Sequence, residues 1–446
     1  MVKLIKAIYT RFRLYAISSS IVLLFVMGQF FDPMYLLAKI TLLFFVLLLL
    51  FDAALLFSSK RQLILLRRVL PDKLSNGDET KVVIYITNMH YFKLQLEVID
   101  ELPAQFQIRD FTSKFKLKPQ QEKVLEYILK PKERGEYLFG YTNVYVSSPI
   151  GLWSRRIKFG TNSTKVLVYP SFMQMRKYEF LAISNQLVNA GIKKVRRADS
   201  FSEFDQIKEY VVGDNYRTVN WNATARRSKL MVNQYQEERS QQIFNIIDKG
   251  RTMQMPFEGM TLLDYAINSS LILANTALLK YDKTGLITFN QKVGTFLKAE
   301  RGNKTIAKIL EVLYNQKTEY LESDYSYLSA FIRRNISHRS LLILYTNFET
   351  TTSLQRQLNY FKHLAKNHLL LLVFFENTEV KSYSKTKAGS LEEIYLKTVA
   401  EKFVHEKKLI VRELKKHGIL SILTKPEDLS AQLINKYLEI KISGKI

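Results

Sequence analysis

The sequence predicts a multidomain protein in which an N-terminal transmembrane helical hairpin is followed by a β-sandwich module and then by a doubly wound α/β domain. Three observations lead to this prediction. Two long apolar runs open the chain, short alternating segments occupy its middle, and near-continuous apolar strands alternate with helices after residue 241. A chain of 446 residues is long enough for two or three domains, each with its own core.

Composition narrows the class of protein. The chain has no cysteine, which excludes disulfides, thiolate metal sites and a cysteine nucleophile. Its formal net charge is +25. This charge is expected of a surface beside an anionic membrane leaflet, where each nearby Lys or Arg contributes about 1 kcal/mol. Nucleic acid is the less favoured partner for the same charge.

The first 57 residues are predicted to anchor the chain in a membrane. A basic cytoplasmic tail over residues 1–13 precedes two transmembrane helices over residues 14–57. Apolar runs of about 17 and 24 residues give roughly 25 and 36 Å, enough for two spans. Basic residues flank both outer ends and none lies between the runs, so both ends and the bulk of the chain are expected in the cytoplasm of a bacterium. Asp52, inside the second run, is either an intramembrane functional group or a group that reaches the interface.

Residues 58–170 are predicted to form a β-sandwich-like module. Segments of strand composition lie at 81–88, 94–100, 106–111, 123–130 and 142–148, and turn residues separate them. None of them carries a catalytic pattern. The module is therefore expected to be a spacer or a binding scaffold.

Residues 171–240 begin with a helical pattern and a basic stretch, and they include the most distinctive part of the chain. The basic residues 193–197 are expected in an exposed loop, with binding of anionic lipid or nucleic acid as the alternative. The distinctive part, SEFDQIKEYVVGDNYRTVNWNATAR, occupies residues 202–226. Gly213 permits a sharp turn there, across which Asp214 and Arg217 are close enough to pair. Trp221 either anchors this segment in a core or docks on a partner.

Residues 241–446 are predicted to form the α/β domain. Apolar strands at 243–248, 285–290, 340–347 and 368–377 alternate with helical patterns. This alternation predicts a parallel sheet with both faces covered. In such sheets ligands bind beyond the carboxyl ends of the strands.

The first of these strands ends in Asp248, as in the metal-dependent adhesion site of von Willebrand factor A domains. There an Asp-x-Ser-x-Ser loop supplies oxygens to Mg²⁺, a hard cation that prefers oxygen ligands. Here the loop runs Asp248-Lys249-Gly250-Arg251-Thr252, so glycine stands at the first hydroxyl position and two cations flank the carboxylate. Thr261 is a further candidate oxygen ligand. Magnesium is thus a candidate cofactor at a degenerate site, and the favoured alternative is that hydrogen bonds or Arg251 hold Asp248.

Catalytic motifs are absent from the sequence. It contains no P-loop, no G-x-G-x-x-G after a strand, no H-E-x-x-H and no G-x-S-x-G. The protein is therefore predicted not to be an enzyme.

The segment 202–226 resembles the signature of a bacterial family catalogued as domain of unknown function fifty-eight. The matching positions are Glu203, Phe204, Tyr210, Gly213, Asp214, Arg217 and Trp221, and the conservative departures are Ile207, Lys208 and Val219. The membrane hairpin, the segment Ser148-Pro149-Ile150-Gly151-Leu152-Trp153 in the β-rich module and a von Willebrand factor A-like domain agree with this resemblance. It implies a membrane-anchored partner of MoxR-type AAA+ ATPases, acting in assembly of other proteins or in envelope maintenance.

The leading hypothesis is therefore a non-enzymatic adaptor or scaffold that binds protein through the segment 202–226 and the α/β domain. The alternatives are metal-dependent ligand binding at Asp248 and binding of anionic lipid or nucleic acid through basic patches.

Overall fold

The chain divides into two compact units, residues 1–169 and residues 170–446. The structure is a computed structural model. It describes residues 8–57, 64–108, 111–161, 163–183, 202–212, 214, 216–237, 240–386 and 389–444.

The first unit opens with two apolar helices, α1 (Phe12–Gly28) and α2 (Asp32–Phe57). Gly28 lies where the helices join, and a Cβ at this position would lie 2.9 Å from the Cα of Tyr35. The ring of Phe25 meets that of Tyr35 edge-on, with centroids 6.0 Å apart. By length and composition α2 can cross a membrane, whereas α1 is a shorter apolar helix.

Eleven strands among the described residues complete the first unit. They are β1 (Ile8–Thr10), β2 (Ile64–Val69), β3 (Lys73–Ser75), β4 (Thr80–Asn88), β5 (Leu94–Asp100), β6 (Thr112–Leu117), β7 (Glu122–Leu129), β8 (Gly135–Phe139), β9 (Thr142–Ser147), β10 (Trp153–Phe159) and β11 (Thr164–Tyr169). They form three sheets, in the orders β1-β10-β9-β5-β6, β2-β4-β7 and β3-β11-β8. The β2-β4-β7 sheet contributes to two cores, one shared with each of the other sheets.

Two features of this unit differ from the sequence prediction. The strand predicted at 106–111 is wrong: Phe106 ends a 3-10 turn, Gln107 has φ +56°, and β6 begins at Thr112. Residues 8–10, inside the predicted tail, pair antiparallel with β10. A three-residue strand gives no periodic signal in the sequence, because its pairing depends on a partner far along the chain.

Asp52, near the end of α2, is fully buried and holds the loop between β9 and β10. Its carboxylate accepts hydrogen bonds from Ser148 Oγ and from the backbone N–H groups of Leu152 and Trp153, the latter two both 2.9 Å long. A buried carboxylate needs such donors, since a lost partner leaves an unpaired charge. Asp52 therefore joins the second apolar helix to the β-rich part of its unit.

The second unit begins with helix α3 (Phe172–Ile183) and a two-stranded antiparallel sheet of β12 (Ser202–Glu209) and β13 (Met231–Glu237). Between these strands lie a 3-10 turn, Tyr216–Thr218, and the short helix α4 (Trp221–Arg227). We call residues 202–237 the arm.

A six-stranded sheet forms the rest of the second unit. The strands of this part are β14 (Gln242–Asp248), the two-residue strands β15 (Pro256–Phe257) and β16 (Met260–Thr261), β17 (Lys283–Phe289), β18 (Val293–Glu300), β19 (Leu341–Tyr345), β20 (Leu369–Phe375) and β21 (Leu420–Thr424). The sheet order is β18-β17-β14-β19-β20-β21, and all neighbours are parallel except β17 and β18.

Helices cover both faces of this sheet. They are α5 (Leu262–Leu279), α6 (Asn303–Tyr314), α7 (Tyr325–Asn335), α8 (Thr351–Asn367), α9 (Thr378–Tyr383), α10 (Leu391–Lys416) and α11 (Leu429–Ile442). Ile243 and Ile247 of β14 pack with α5, α6 and α11, while Phe244 and Ile246 pack with α7, α8 and α10. Alternate residues of a strand point to opposite faces, which explains the continuous apolar strands. Helix α5 is apolar enough to span a membrane, but 78% of its apolar window is buried in this core.

Candidate functional site

The tip of the arm is built by local hydrogen bonds. Asn220 caps α4 by accepting from Ala223 N–H at 3.0 Å, and its amide donates to Asn233 Oδ1 at 2.9 Å. Asp214 closes the preceding turn, because its carboxylate accepts from Val211 N–H and pairs with Lys208 Nζ, both at 3.0 Å. The Val211 hydrogen bond and then Lys208 hold the pKa of Asp214 below its usual value. These hydrogen bonds therefore hold the described part of the tip in place.

Four large apolar side chains are exposed at this tip. Val211 is 62% exposed, Val212 96%, Tyr216 72% and Trp221 72%. The suggestion that Trp221 anchors the segment in a core is therefore wrong. Among the arm residues whose side chains the structure describes, Met231 and Val232 on β13 are buried instead, and Val219 forms a bridge to Val232.

The other residues of the predicted signature are spread along the arm. Tyr210 is half-buried, and its N–H donates to the carbonyl of Leu230 at 2.8 Å. The backbone of Glu203 and Phe204 lies in β12 and that of Arg217 in the 3-10 turn. The side chains of these three residues, Gly213, and the basic residues 193–197 lie outside the described part of the chain.

The second candidate site is Asp248, at the carboxyl end of β14 and 1% exposed. Its Oδ1 accepts from Gly250 N–H at 2.8 Å and from Ser323 Oγ. Its Oδ2 accepts from Tyr325 OH at 2.9 Å and from Thr346 Oγ1 at 2.8 Å. Burial raises the pKa of Asp248 despite these four donors, and burial beside Asp248 raises that of Tyr325 well above its usual value.

Gly250 explains why the expected hydroxyl is missing from the loop. A Cβ at position 250 would lie 3.0 Å from Asp248 Oδ1 and would collide with Ser323 Oγ. Ser323 thus brings to Asp248, from a different loop, the hydroxyl that the loop itself lacks. Glycine at this position follows from the close approach of that side chain.

The cations beside Asp248 in sequence have other partners. Lys249 Nζ pairs with Glu319 at 3.2 Å, and Arg251 lies 3.8 Å from Glu322. Of the two alternatives for holding Asp248, hydrogen bonding is therefore the one seen. Thr252 is half-buried in the cleft beside Asp248, and Thr261 caps α5 through a reciprocal pair with Asp264.

These residues do not fit a magnesium site in this arrangement. Each oxygen of Asp248 already accepts two hydrogen bonds, while Mg²⁺ requires near-octahedral oxygen ligation at 2.0–2.1 Å. Within the described ranges, no group of three or more His, Cys, Asp or Glu side chains is placed to hold a metal ion. The hydroxyl oxygen of Thr261 takes part in the N-terminal cap of α5, where Oγ1 donates a hydrogen bond to Asp264 Oδ2 at 2.6 Å.

A cleft of about 210 Å³ lies next to Asp248, lined among others by Thr252, Ser323, Glu349 and Arg356. Nothing in the sequence connects Ser323 or Tyr325 with Asp248. They lie 75 and 77 residues further along the chain, and no motif links them. Thr346 was recognisable only as a residue at the end of another parallel strand.

Part of the chain is similar to a known family. The family described as "Protein of unknown function DUF58" matches residues 206–380, from β12 of the arm to α9. The match covers less than half of the chain. The match includes the exposed tip of the arm and Asp248. The expected resemblance is confirmed.

A curated relative of this DUF58 region is likewise without a described activity. "Uncharacterized protein YeaD" of Bacillus subtilis (strain 168) is 27% identical over 125 residues. The alignment covers 28% of this chain and 31% of the relative, so the chain spans about a third of that relative's length.

Similarity to solved structures is low. A CARDB domain from Pyrococcus furiosus, described in complex with di-metal ions, is 16% identical with a TM-score of 0.18, covering 24% of this chain and 86% of that one. A Salmonella alpha-2-macroglobulin mutant is 14% identical with a TM-score of 0.19, covering 25% and 7%. TM-scores in this range assign no fold.

Proposed function

We propose that this protein is a membrane-anchored, non-enzymatic adaptor that docks on a protein partner through the tip of the arm. The exposure of Val211, Val212, Tyr216 and Trp221 is the observation that carries the proposal. Clustered apolar groups on a water-facing surface mark interaction sites, and Trp and Tyr are enriched among residues that dominate binding energy. Because hydrogen bonds already order this backbone, docking costs little conformational entropy.

The charge of helix α4 favours a partner with an acidic surface, because this helix carries two arginines and no acid. Arg226 and Arg227 are exposed in the last turn of α4, the helix that begins at Trp221. Neighbouring Lys229 pairs with Glu209 at 3.0 Å, so it contributes less net charge. A MoxR-type AAA+ ATPase, the partner implied by the family resemblance, is our specific candidate, with a role in protein assembly or envelope maintenance. Complementary charge raises the rate of encounter more than the final affinity.

We propose the cytoplasmic membrane of a bacterium as the location, with both ends of the helical hairpin on the cytoplasmic side. Strand β1, before the hairpin, pairs with β10, which follows the hairpin in the same unit, so the two ends of the hairpin lie on the same side. Basic residues flank both ends, with Arg11 and Arg13 before α1 or at its start and Arg67 and Arg68 after α2. The α/β part, with an aspartate ending its first strand, is proposed to be von Willebrand factor A-like.

The test compares binding of variants to a purified MoxR-type ATPase by biolayer interferometry, with the full chain in lipid nanodiscs. Trp221→Ala and Val212→Asp are expected to weaken binding roughly tenfold or more, as for a central interface residue. Their melting temperatures should match the wild type, because both side chains are exposed. Tyr91→Ala, which removes a side chain 85% exposed in the first unit, is the matched control and should leave binding unchanged.

The outcomes separate the two parts of the proposal. Absence of binding by the wild type would reject the ATPase as partner. Binding of the wild type and of both arm variants with equal affinity would reject the arm as the docking surface.

A further inference from the structure

A separate cavity of about 180 Å³ lies beyond the carboxyl ends of β19 and β20. Its walls are mostly apolar and come from residues 255–257, Leu262, Phe375, Val380 and residues 403–404. The polar groups are Lys407 on α10 together with Asn347, Glu349, Glu376 and Asn377 from the strand ends. Ligands of parallel α/β sheets bind at this edge.

Lys407 is the unusual group in this cavity. Its Nζ donates a hydrogen bond to the side-chain oxygen of Asn347, which is neutral. The negative charge of Glu349 favours the protonated form of Lys407, but the two side chains do not form an ion pair. The other acid, Glu376, pairs with Lys381 at 2.8 Å. Burial outweighs Glu349 and lowers the pKa of Lys407 to about 8.

Lys407 is half-buried. An ammonium group that is partly withdrawn from water without a close counter-ion is costly, because charges inside proteins are normally paired. The ammonium group of Lys407 instead faces a cavity whose walls are mainly apolar. A ligand that carries a carboxylate at one end and an apolar group at the other would supply the charge to Lys407 and fill the space. Neutral apolar molecules would leave the ammonium uncompensated, and cationic ones would be repelled by it.

We propose that this cavity binds a small carboxylate with a short apolar tail, whose carboxylate pairs with Lys407. At about 30 Å³ for each atom, the size of a liquid water molecule, the space holds on the order of six non-hydrogen atoms. Two kinds of molecule carry a carboxylate next to a short branched apolar group: a free branched-chain acid and a polypeptide that ends in leucine.

The test titrates the full chain in lipid nanodiscs with 4-methylpentanoate and with its neutral amide. We expect the acid to bind roughly tenfold or more tightly than the amide, the gain typical of a hydrogen bond to a charged group. Lys407→Met should abolish this preference, while Lys408→Met, at the exposed neighbouring position, should keep it. Calorimetry near pH 8 in two buffers should show proton uptake on binding, because the carboxylate raises the pKa of the amine. That uptake should disappear in Lys407→Met.

The peptide Gly-Gly-Leu, with a free or an amidated C-terminus, distinguishes the two sources. Binding of the free peptide with the same dependence on Lys407 would identify a polypeptide C-terminus as the ligand. Binding of 4-methylpentanoate alone would identify a free acid. Equal affinity for acid and amide, an unchanged preference in Lys407→Met, or no binding of any of these probes would overturn the proposal.

Discussion

Replacing Asp248 tests whether this carboxylate is the centre of a hydrogen-bonded cluster. Asp248→Ala leaves Gly250 N–H and the hydroxyl of Ser323 without their acceptor. The hydroxyls of Tyr325 and Thr346 also lose Asp248 and keep only each other, 2.7 Å apart. An unsatisfied buried donor costs about 1–3 kcal/mol. Water from the adjacent cleft can reach part of the cluster, so we expect a net loss of about 3–5 kcal/mol, as for one partner of a buried charge interaction. At about 2–4 °C for each kcal/mol, the melting temperature falls by roughly 6–20 °C.

Asp248→Asn is expected to behave differently. It keeps the volume and one acceptor oxygen, and its amide can donate to a hydroxyl that rotates, so the expected change is within about 1 kcal/mol. Burial raises the pKa of Asp248, so its folded-state pKa lies above the unfolded value of about 3.9. The contribution of Asp248 to folding stability is therefore complete below about pH 4 and is lost as the pH rises through the pKa of Asp248 in the folded state. As the pH rises through that value, Asp248→Asn should therefore become more stable relative to the wild type.

Differential scanning calorimetry of the full chain in nanodiscs, repeated between pH 4 and pH 8, measures both effects. Glu322→Gln, which alters an acid of the same cleft whose side chain is 85% exposed, is the matched control and should change stability by no more than about 0.5 kcal/mol. A melting temperature for Asp248→Ala within about 2 °C of the wild type would refute the cluster. A fall in Asp248→Asn as large as in Asp248→Ala would show that the negative charge itself is needed, as a bound cation would require.

Two further predictions concern the second unit. Gly250→Ser restores a hydroxyl to the loop, yet it should destabilise the protein without creating a response to Mg²⁺, because its Cβ meets Ser323; a melting temperature raised by Mg²⁺, in the variant or the wild type, would contradict this. His368 is 6% exposed and burial lowers its pKa, so its contribution to stability is complete above the unfolded value of about 6.5 and is lost as the pH falls below it. His368→Gln should therefore flatten the fall in stability between pH 7 and pH 5 in calorimetry of the full chain, whereas His363→Gln, at an exposed position of α8, should leave that slope as it is.

Regular elements were the part of the fold most accessible from sequence. The strand predicted over 243–248 is observed as Gln242–Asp248, and the strand predicted over 94–100 has those bounds. Both predictions depend on the pattern of apolar residues over a few residue pairs, which burial on one or both faces imposes directly. Strands such as β1 and β18 were missed because they are edge strands with a weaker apolar pattern.

The candidate sites were less accessible. Asp248 was recognisable because it ends an apolar strand, but its partners were not. Trp221 was recognised as important, while its exposure could not be read from its neighbours in sequence. Lys407 gave no signal, since a lysine on an amphipathic helix is ordinarily solvated.

The sequence by itself determined the order of the elements, the apolar N-terminal helices and the family signature, because local periodicity and fixed spacing specify them. Only the tertiary structure decided which side chains meet. Parallel pairing of β14 with β19 brings Thr346 to Asp248, 98 residues away, and a loop adds Ser323. Likewise Asp52 meets a loop about one hundred residues further on. Such contacts depend on strand register and helix packing, which no local pattern encodes.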